Sequence, residues 1–236
     1  MTSRWKRLYP PEMLRVFLMN IEFAYGNREK ALEMAKNLID AGTPFPVPYL
    51  NYASHLASLG RPAEALALLT IALELGPKKT MRKNVLLTTA TCLWLLGDPT
   101  AAAAALEDMR AEFGYMNPSA LTTLGYMYFL TGDYDKAEAV TNEALAESPE
   151  FAAAWDNLGQ ISYARRDLER ARERFAKALE CNPSLADSNY LMGMIEEERG
   201  DAEQAARFFA RAAECPVTAL NTVKAEEIAN KCNYHK

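Results

Sequence analysis

The sequence is poor in the residues that build reactive centres. Among 236 residues there are two histidines and four cysteines. His55 and His235 lie far apart. Cys92, Cys181, Cys215 and Cys232 make no Cys-x2-Cys pair and have no histidine partners at zinc-finger spacing. Cys232 with His235 offers two ligands where a structural zinc site needs four. Cys181 and Cys215 are 34 residues apart, which places them in equivalent positions of successive structural layers. Packed helix layers are about 8–10 Å apart, too far for a disulfide, whose α-carbons stay within about 7 Å. No acid–base–nucleophile constellation and no glycine-rich phosphate loop is present. The expectation is no catalytic residue, no metal and no cofactor.

Basic excess is missing too. The formal net charge is −5 and the pI is near 5.3, which argues against a nucleic-acid binder, since that needs a cationic stripe to release counterions. The two Asn-x-Ser sites, at Asn117 and Asn182, carry proline in the middle and are not glycan acceptors. No apolar run approaches the roughly 18 residues of a membrane span, and the start shows no leader pattern. Direct membrane insertion is not expected, and the unpaired cysteines point to a reducing, cytoplasmic location. The basic, aromatic stretch Arg4-Trp5-Lys6-Arg7-Leu8-Tyr9 raises one alternative, the soluble portion of a membrane-anchored assembly factor.

What is present is a repeat. Ala31, Ala65, Ala102, Ala137, Ala171 and Ala205 are separated by 34, 37, 35, 34 and 34 residues. A second column runs through Gly26, Gly60, Gly97, Gly132, Arg166 and Gly200, with Arg166 the exception. A third, of small residues, reads Ala53, Ala90, Gly125, Gly159 and Gly193, headed by Met19. Each column has a cause. Glycine adopts the left-handed conformation that ends a helix. The residue after it, Asp98, Asp133, Asp167 or Asp201, is a good N-cap. Pro62 and Pro99 then fall at the first helical position, where a missing N–H costs little. The small column lets two antiparallel helices approach closely, and Trp155, Leu158, Phe175 and Leu179 fill the space left.

The segment Trp155-x2-Leu158-Gly159, followed by Ala171, Phe175, Ala178 and Pro183, resembles a full tetratricopeptide repeat (TPR). By register six units fall at 12–45, 46–79, 83–116, 118–151, 152–185 and 186–219, after an N-terminal tail at 1–11 and before a capping helix and tail at 220–236. The fourth and fifth match best and the first least. The resemblance implies an all-α fold, an α-solenoid with a right-handed superhelical twist, in which the first helices of the units line a groove. The joins at 41–49, rich in proline, and at 77–83, with four positive charges, read as turns or loops. The segment 217–232 reads as a polar helical cap with a weak apolar face.

The resemblance further implies a protein–protein interaction module, a scaffold or adaptor, that holds a peptide of a partner protein of unknown identity. Stepping along the first helices, the groove is Asn20 in unit one, Asn51 in unit two, and Thr88, Thr91 and Trp94 in unit three. Thr122, Tyr126 and Phe129 follow in unit four, Asn157, Gln160 and Tyr163 in unit five, and Tyr190 in unit six. Asp156 and Asp187 lie beside them in an otherwise mostly uncharged lining. Amides can clamp a peptide backbone, and aromatics give contact area at small entropic cost; the same aromatics could instead pack between units. A C-terminal carboxylate of a chaperone is disfavoured as ligand, because Asn84 and Thr88 stand where that branch of the family has a lysine and an arginine. Self-association into a homo-oligomeric scaffold is the alternative, with the run 101–105 of alanines as one candidate face.

Overall fold

A computed structural model describes residues 11–217 and 221–234. These hold thirteen α-helices: α1 (Pro11–Ala24), α2 (Arg28–Asp40), α3 (Pro46–Ser58), α4 (Pro62–Glu74), α5 (Lys79–Leu95), α6 (Pro99–Phe113), α7 (Pro118–Leu130), α8 (Tyr134–Glu147), α9 (Ala152–Ala164), α10 (Leu168–Cys181), α11 (Ala186–Glu198), α12 (Ala202–Glu214) and α13 (Ala225–Tyr234). No strand occurs among the described residues. None of their helices is long and apolar enough to cross a membrane. The basic, aromatic stretch 4–9 and His235 lie outside the described residues.

The chain divides into two compact units, Met1–Gly97 and Asp98–Lys236. In the first, α1 packs on α2, α2 on α3, α3 on α4, and α5 on both α3 and α4. In the second, α6 packs on α7, and the hairpins α7–α8, α9–α10 and α11–α12 follow one another. There each second helix leans on the next first helix, first helices touch in sequence (α7 on α9, α9 on α11), and α13 covers α12. Helix hairpins stacked in chain order, each burying a face that it could not bury alone, define the α-solenoid class.

Local chemistry sets the helix ends. The carboxylates of Asp98, Asp133, Asp167 and Asp201 accept from the backbone N–H of Ala101, Lys136, Arg170 and Gln204 at 2.8, 3.3, 3.2 and 3.0 Å, satisfying donors that no helix can satisfy internally. The glycines before them have φ near +80°, and Arg166, the exception in that column, takes the same left-handed conformation at +63°. Its guanidinium reaches both carboxylate oxygens of Glu198 in the next repeat, at 2.8 and 3.1 Å, a cross-link that glycine could not make.

The small-residue column is required by contact. A β-carbon on Gly159 would lie 2.5 Å from the ring of Phe175, and one on Gly193 2.6 Å from the ring of Phe209. Both rings are fully buried. At Gly125 the intruded atom is the Thr141 hydroxyl, at 2.3 Å. Small residue on the first helix and large one on the second are two halves of one joint.

Three sequence expectations change. Residues 41–49 are not all turn, because α3 begins at Pro46 and takes Pro46 and Pro48 into its first turn, where backbone N–H groups have no helical partner to lose. The charged join at 77–83 is largely helix: α5 starts at Lys79 and runs 17 residues, favoured by lysine and arginine propensity. The C-terminal segment has a real apolar anchor, with Val223 and Ile228 buried against Ala186 and Ala212.

Candidate peptide-binding groove

Of the twelve groove residues expected from sequence, Asn20, Asn51, Thr88, Thr91 and Trp94 lie in the first unit and the other seven in the second. In the first unit Asn20 is exposed, and Asn51 and Trp94 are half-buried. Thr88 and Thr91 donate their hydroxyls to the carbonyls of Asn84 and Leu87, one turn back on their own helix.

In the second unit the seven sit on three consecutive first helices, α7, α9 and α11, and divide into two kinds. Some hold the repeats together. Asn157, 6% exposed, donates its amide to the Thr122 carbonyl at 2.8 Å and so ties α9 to α7. Thr122 is equally buried and its hydroxyl has no partner. Phe129 packs beside the core of Ala137, Leu158 and Ile161 and on the rings of Tyr126 and Tyr134. Tyr163 lies against Ala171, Phe175, Met192 and Ile195. Tyr190 meets the Phe209 ring with centroids 5.5 Å apart. These aromatics therefore do pack between helices, each keeping part of its surface outward.

The others present polar atoms at one place. Tyr126 of α7 and Gln160 of α9 are 34 residues apart, hence equivalent in adjacent repeats. Gln160 donates to Asp156 at 2.7 Å, and the Ser188 hydroxyl on α11 donates to the other oxygen of the same carboxylate. Asp187, also on α11, stands next in this row. Burial, and then repulsion from Asp187, pushes the Asp156 carboxyl up to about 7. Burial likewise raises Asp187, against the pull of the N–H donors that it accepts. Burial pushes the Tyr126 hydroxyl up to about 12. The lining that reads as mostly uncharged in sequence thus has two carboxylates at its centre.

What occupies this face is the chain itself. The Tyr126 and Thr222 hydroxyls share a hydrogen bond at 2.5 Å, and the Thr222 hydroxyl also reaches the side-chain amide oxygen of Gln160 at 3.4 Å. Asp187 accepts from the backbone N–H of Thr222 at 3.2 Å, that of Val223 at 2.8 Å, and the Asn221 amide at 3.2 Å. Thr222, Asn221 and Ser188 were not legible as site residues. Tyr126 and Thr222 are 96 positions apart, outside any repeat register.

Nothing in this arrangement resembles a metal site: among the described residues no cluster of three His, Cys, Asp or Glu can hold an ion. All four cysteines are free thiols.

The tetratricopeptide repeat family model matches residues 87–152, 131–186 and 157–217, and a second model of the same description matches residues 46–69. No curated protein matches the chain at a significant level. Among solved structures, a tetratricopeptide repeat protein from Parabacteroides merdae is 18% identical, with a TM-score of 0.75 over 98% of this chain and 88% of that one. PilW, a type IV pilus biogenesis factor, is 19% identical with a TM-score of 0.68, over 87% of this chain and 93% of its own. A chain of the APC/C hetero-tetramer Cut9–Hcn1 is 17% identical with a TM-score of 0.75, over 99% of this chain and 45% of its own. At such identities the likeness is one of fold. The family matches, spanning residues 87–217 and so more than half of the sequence, carry the assignment: the chain belongs to the tetratricopeptide repeat family.

Proposed function

We propose that this chain is a protein–protein interaction module that holds a peptide segment of a partner on the face formed by α7, α9 and α11. The fold supports the general class, since tetratricopeptide repeats are generally interaction modules. One structural neighbour is a chain of a crystallised assembly of two proteins, Cut9 and Hcn1. One observation supports the finer reading: a non-helical stretch of polypeptide, residues 221–223, already lies on this face. Its backbone N–H groups meet Asp187 and its hydroxyl meets Tyr126. A surface that accommodates one such backbone has the acceptors and the width for another. The expected cytoplasmic location belongs to the same proposal.

The test is a tagged chain used as bait beside a Tyr126→Ala/Gln160→Ala variant, with circular dichroism and sedimentation run on both. Partners retained by the first and lost by the second, at equal helicity and mass, support the groove. Equal retention rejects it.

A second reading, self-association, has an observation of its own. Met13, Leu14, Phe17 and Leu18 leave α1 with an exposed apolar face, Phe17 at 59%, and such faces commonly mark interfaces. Sedimentation over a concentration range separates the two, because only a scaffold grows without a partner.

A further inference from the structure

We propose that residues 221–223 are an internal occupant of the groove, a strap that a partner segment of the same chemistry must displace. The inference rests on the groove reading above and names both the ligand class and the regulation of that site.

Three features set this stretch apart from an ordinary link to a terminal helix. First, its contacts run to all three first helices of the unit: Thr222 to Tyr126 on α7 and to Gln160 on α9, and the backbone to Asp187 on α11. A connector between α12 and α13 needs contact only with the last repeat. Second, Asp187 accepts two consecutive backbone N–H groups and a side-chain amide. That is the way a carboxylate receives an extended or turning peptide, and any chain without proline at those two positions can supply it. Third, the strap is anchored at one end and open at the other. Val223 is buried with Ile228 of α13 against Ala186 and Ala212, whereas Thr222 is exposed and Asn221 half-buried. The Thr222 bonds to the Tyr126 hydroxyl and, through its N–H, to Asp187 lie at an exposed site, where polar contacts exchange with water.

The strap therefore reads as a template of the ligand. The matching segment carries an amide side chain, then serine or threonine to bridge Tyr126 and Gln160, then a β-branched apolar residue, with both N–H groups free for Asp187. Because the strap is covalently tethered, it competes at high effective concentration, and the apparent affinity for a partner falls in proportion to the fraction of open grooves.

The experiment uses the full chain and a fluorescein-labelled synthetic peptide with the sequence of residues 219–224, Ala-Leu-Asn-Thr-Val-Lys. Fluorescence anisotropy is read for wild type, for the strap variant Asn221→Ala/Thr222→Ala, and for that variant carrying Asp187→Ala as well. The expected result is binding to the strap variant about tenfold tighter than to wild type, for a strap closed about nine-tenths of the time, and loss of that binding when Asp187 is removed. Equal binding to wild type and strap variant overturns the autoinhibition. Absence of binding to the strap variant overturns the ligand class.

Hydrogen–deuterium exchange on the unaltered protein gives an independent reading. The Val223 amide must exchange more slowly than a free coil amide, and faster than the amides of α9, for a strap that opens by itself. Exchange as slow as α9 overturns the proposal, because the segment is then an integral part of the fold. If the peptide arm fails while partner capture still depends on Tyr126 and Gln160, the groove stands and only the strap falls.

Discussion

The two units are built on one period but by different means. In Asp98–Lys236 five helices carry an N-cap whose side chain accepts a backbone N–H: Asp98, Asn117, Asp133, Asp167 and Asp201. In Met1–Gly97 the caps Asn27, Phe45, Arg61 and Lys78 make no such bond. The second unit buries Asp156, Asn157, Gln160, Ser188 and Asn189 inside its row of first helices; among the described residues of the first, Thr43 is the buried polar side chain. Ion pairs that bridge repeats, such as Arg110 to Glu143, Arg174 to Glu138 and Arg172 to Glu196, also belong to the second unit. Among the described residues the first unit leaves more large apolar side chains exposed, on α1 and at Tyr25, Leu59, Ile71 and Leu96, than the second, which exposes Tyr115, Leu130 and Tyr234. A repeat array thus holds together in two ways. Packing that is mainly apolar tolerates uncapped helix ends, whereas capped helices with a buried polar row fix register and hold side chains in set positions.

Four experiments sharpen or break this contrast. The largest effect is expected for Gly159→Ala. Its new methyl group meets a fully buried aromatic ring that has nowhere to go, so overpacking should cost about 1–3 kcal/mol in urea denaturation. An unchanged midpoint would mean that the helix pair is free to separate.

Next is the pH dependence of the second unit. Asp156 has a folded value of about 7 against an ordinary 3.8. The folded state therefore holds a proton that the unfolded chain has released. Stability from this group is full below 3.8 and is lost as pH rises towards about 7. Asp156→Asn should flatten that decline and leave the protein more stable than wild type at pH 8. The first unit has no buried carboxylate among its described residues, so amide exchange in α3 should respond to pH less than exchange in α9.

Smaller is the cap effect. Asp201→Ala should cost about 1 kcal/mol, while Lys78→Ala, at a cap position whose side chain makes no cap bond, should change little. Equal losses would erase the distinction between the units. The smallest is Arg166→Gly, which relieves a left-handed backbone but removes the link to Glu198. A rise in melting temperature of a few degrees at most is expected, and it should be larger in high salt, where that link is screened in wild type as well.

Much of the architecture was legible because its causes are local. The aspartates act on an N–H three residues away, the glycines on their own φ, and Pro62 and Pro99 on a turn that lacks helical acceptors. Phe175 and Gly159 also announce each other, since two helices packed closely side by side require a small residue wherever the partner presents a large one. The candidate groove was expected only as a row of positions. Which members of the row were committed to structure could not be read: Asn157 reads as a free clamp until its amide is seen on the Thr122 carbonyl. The helical character of 79–83 was hidden by its charge, which resembles that of a loop.

The amino-acid sequence alone determined the period, the helix ends and the pairing of small with large residues, because each follows from interactions within a turn or between neighbouring repeats. Only the tertiary structure decided what lies on the face of α7, α9 and α11. It is stacking that carries Tyr126, Gln160 and Asp187 onto one surface, and only a chain that returns across it can bring Thr222 to meet them.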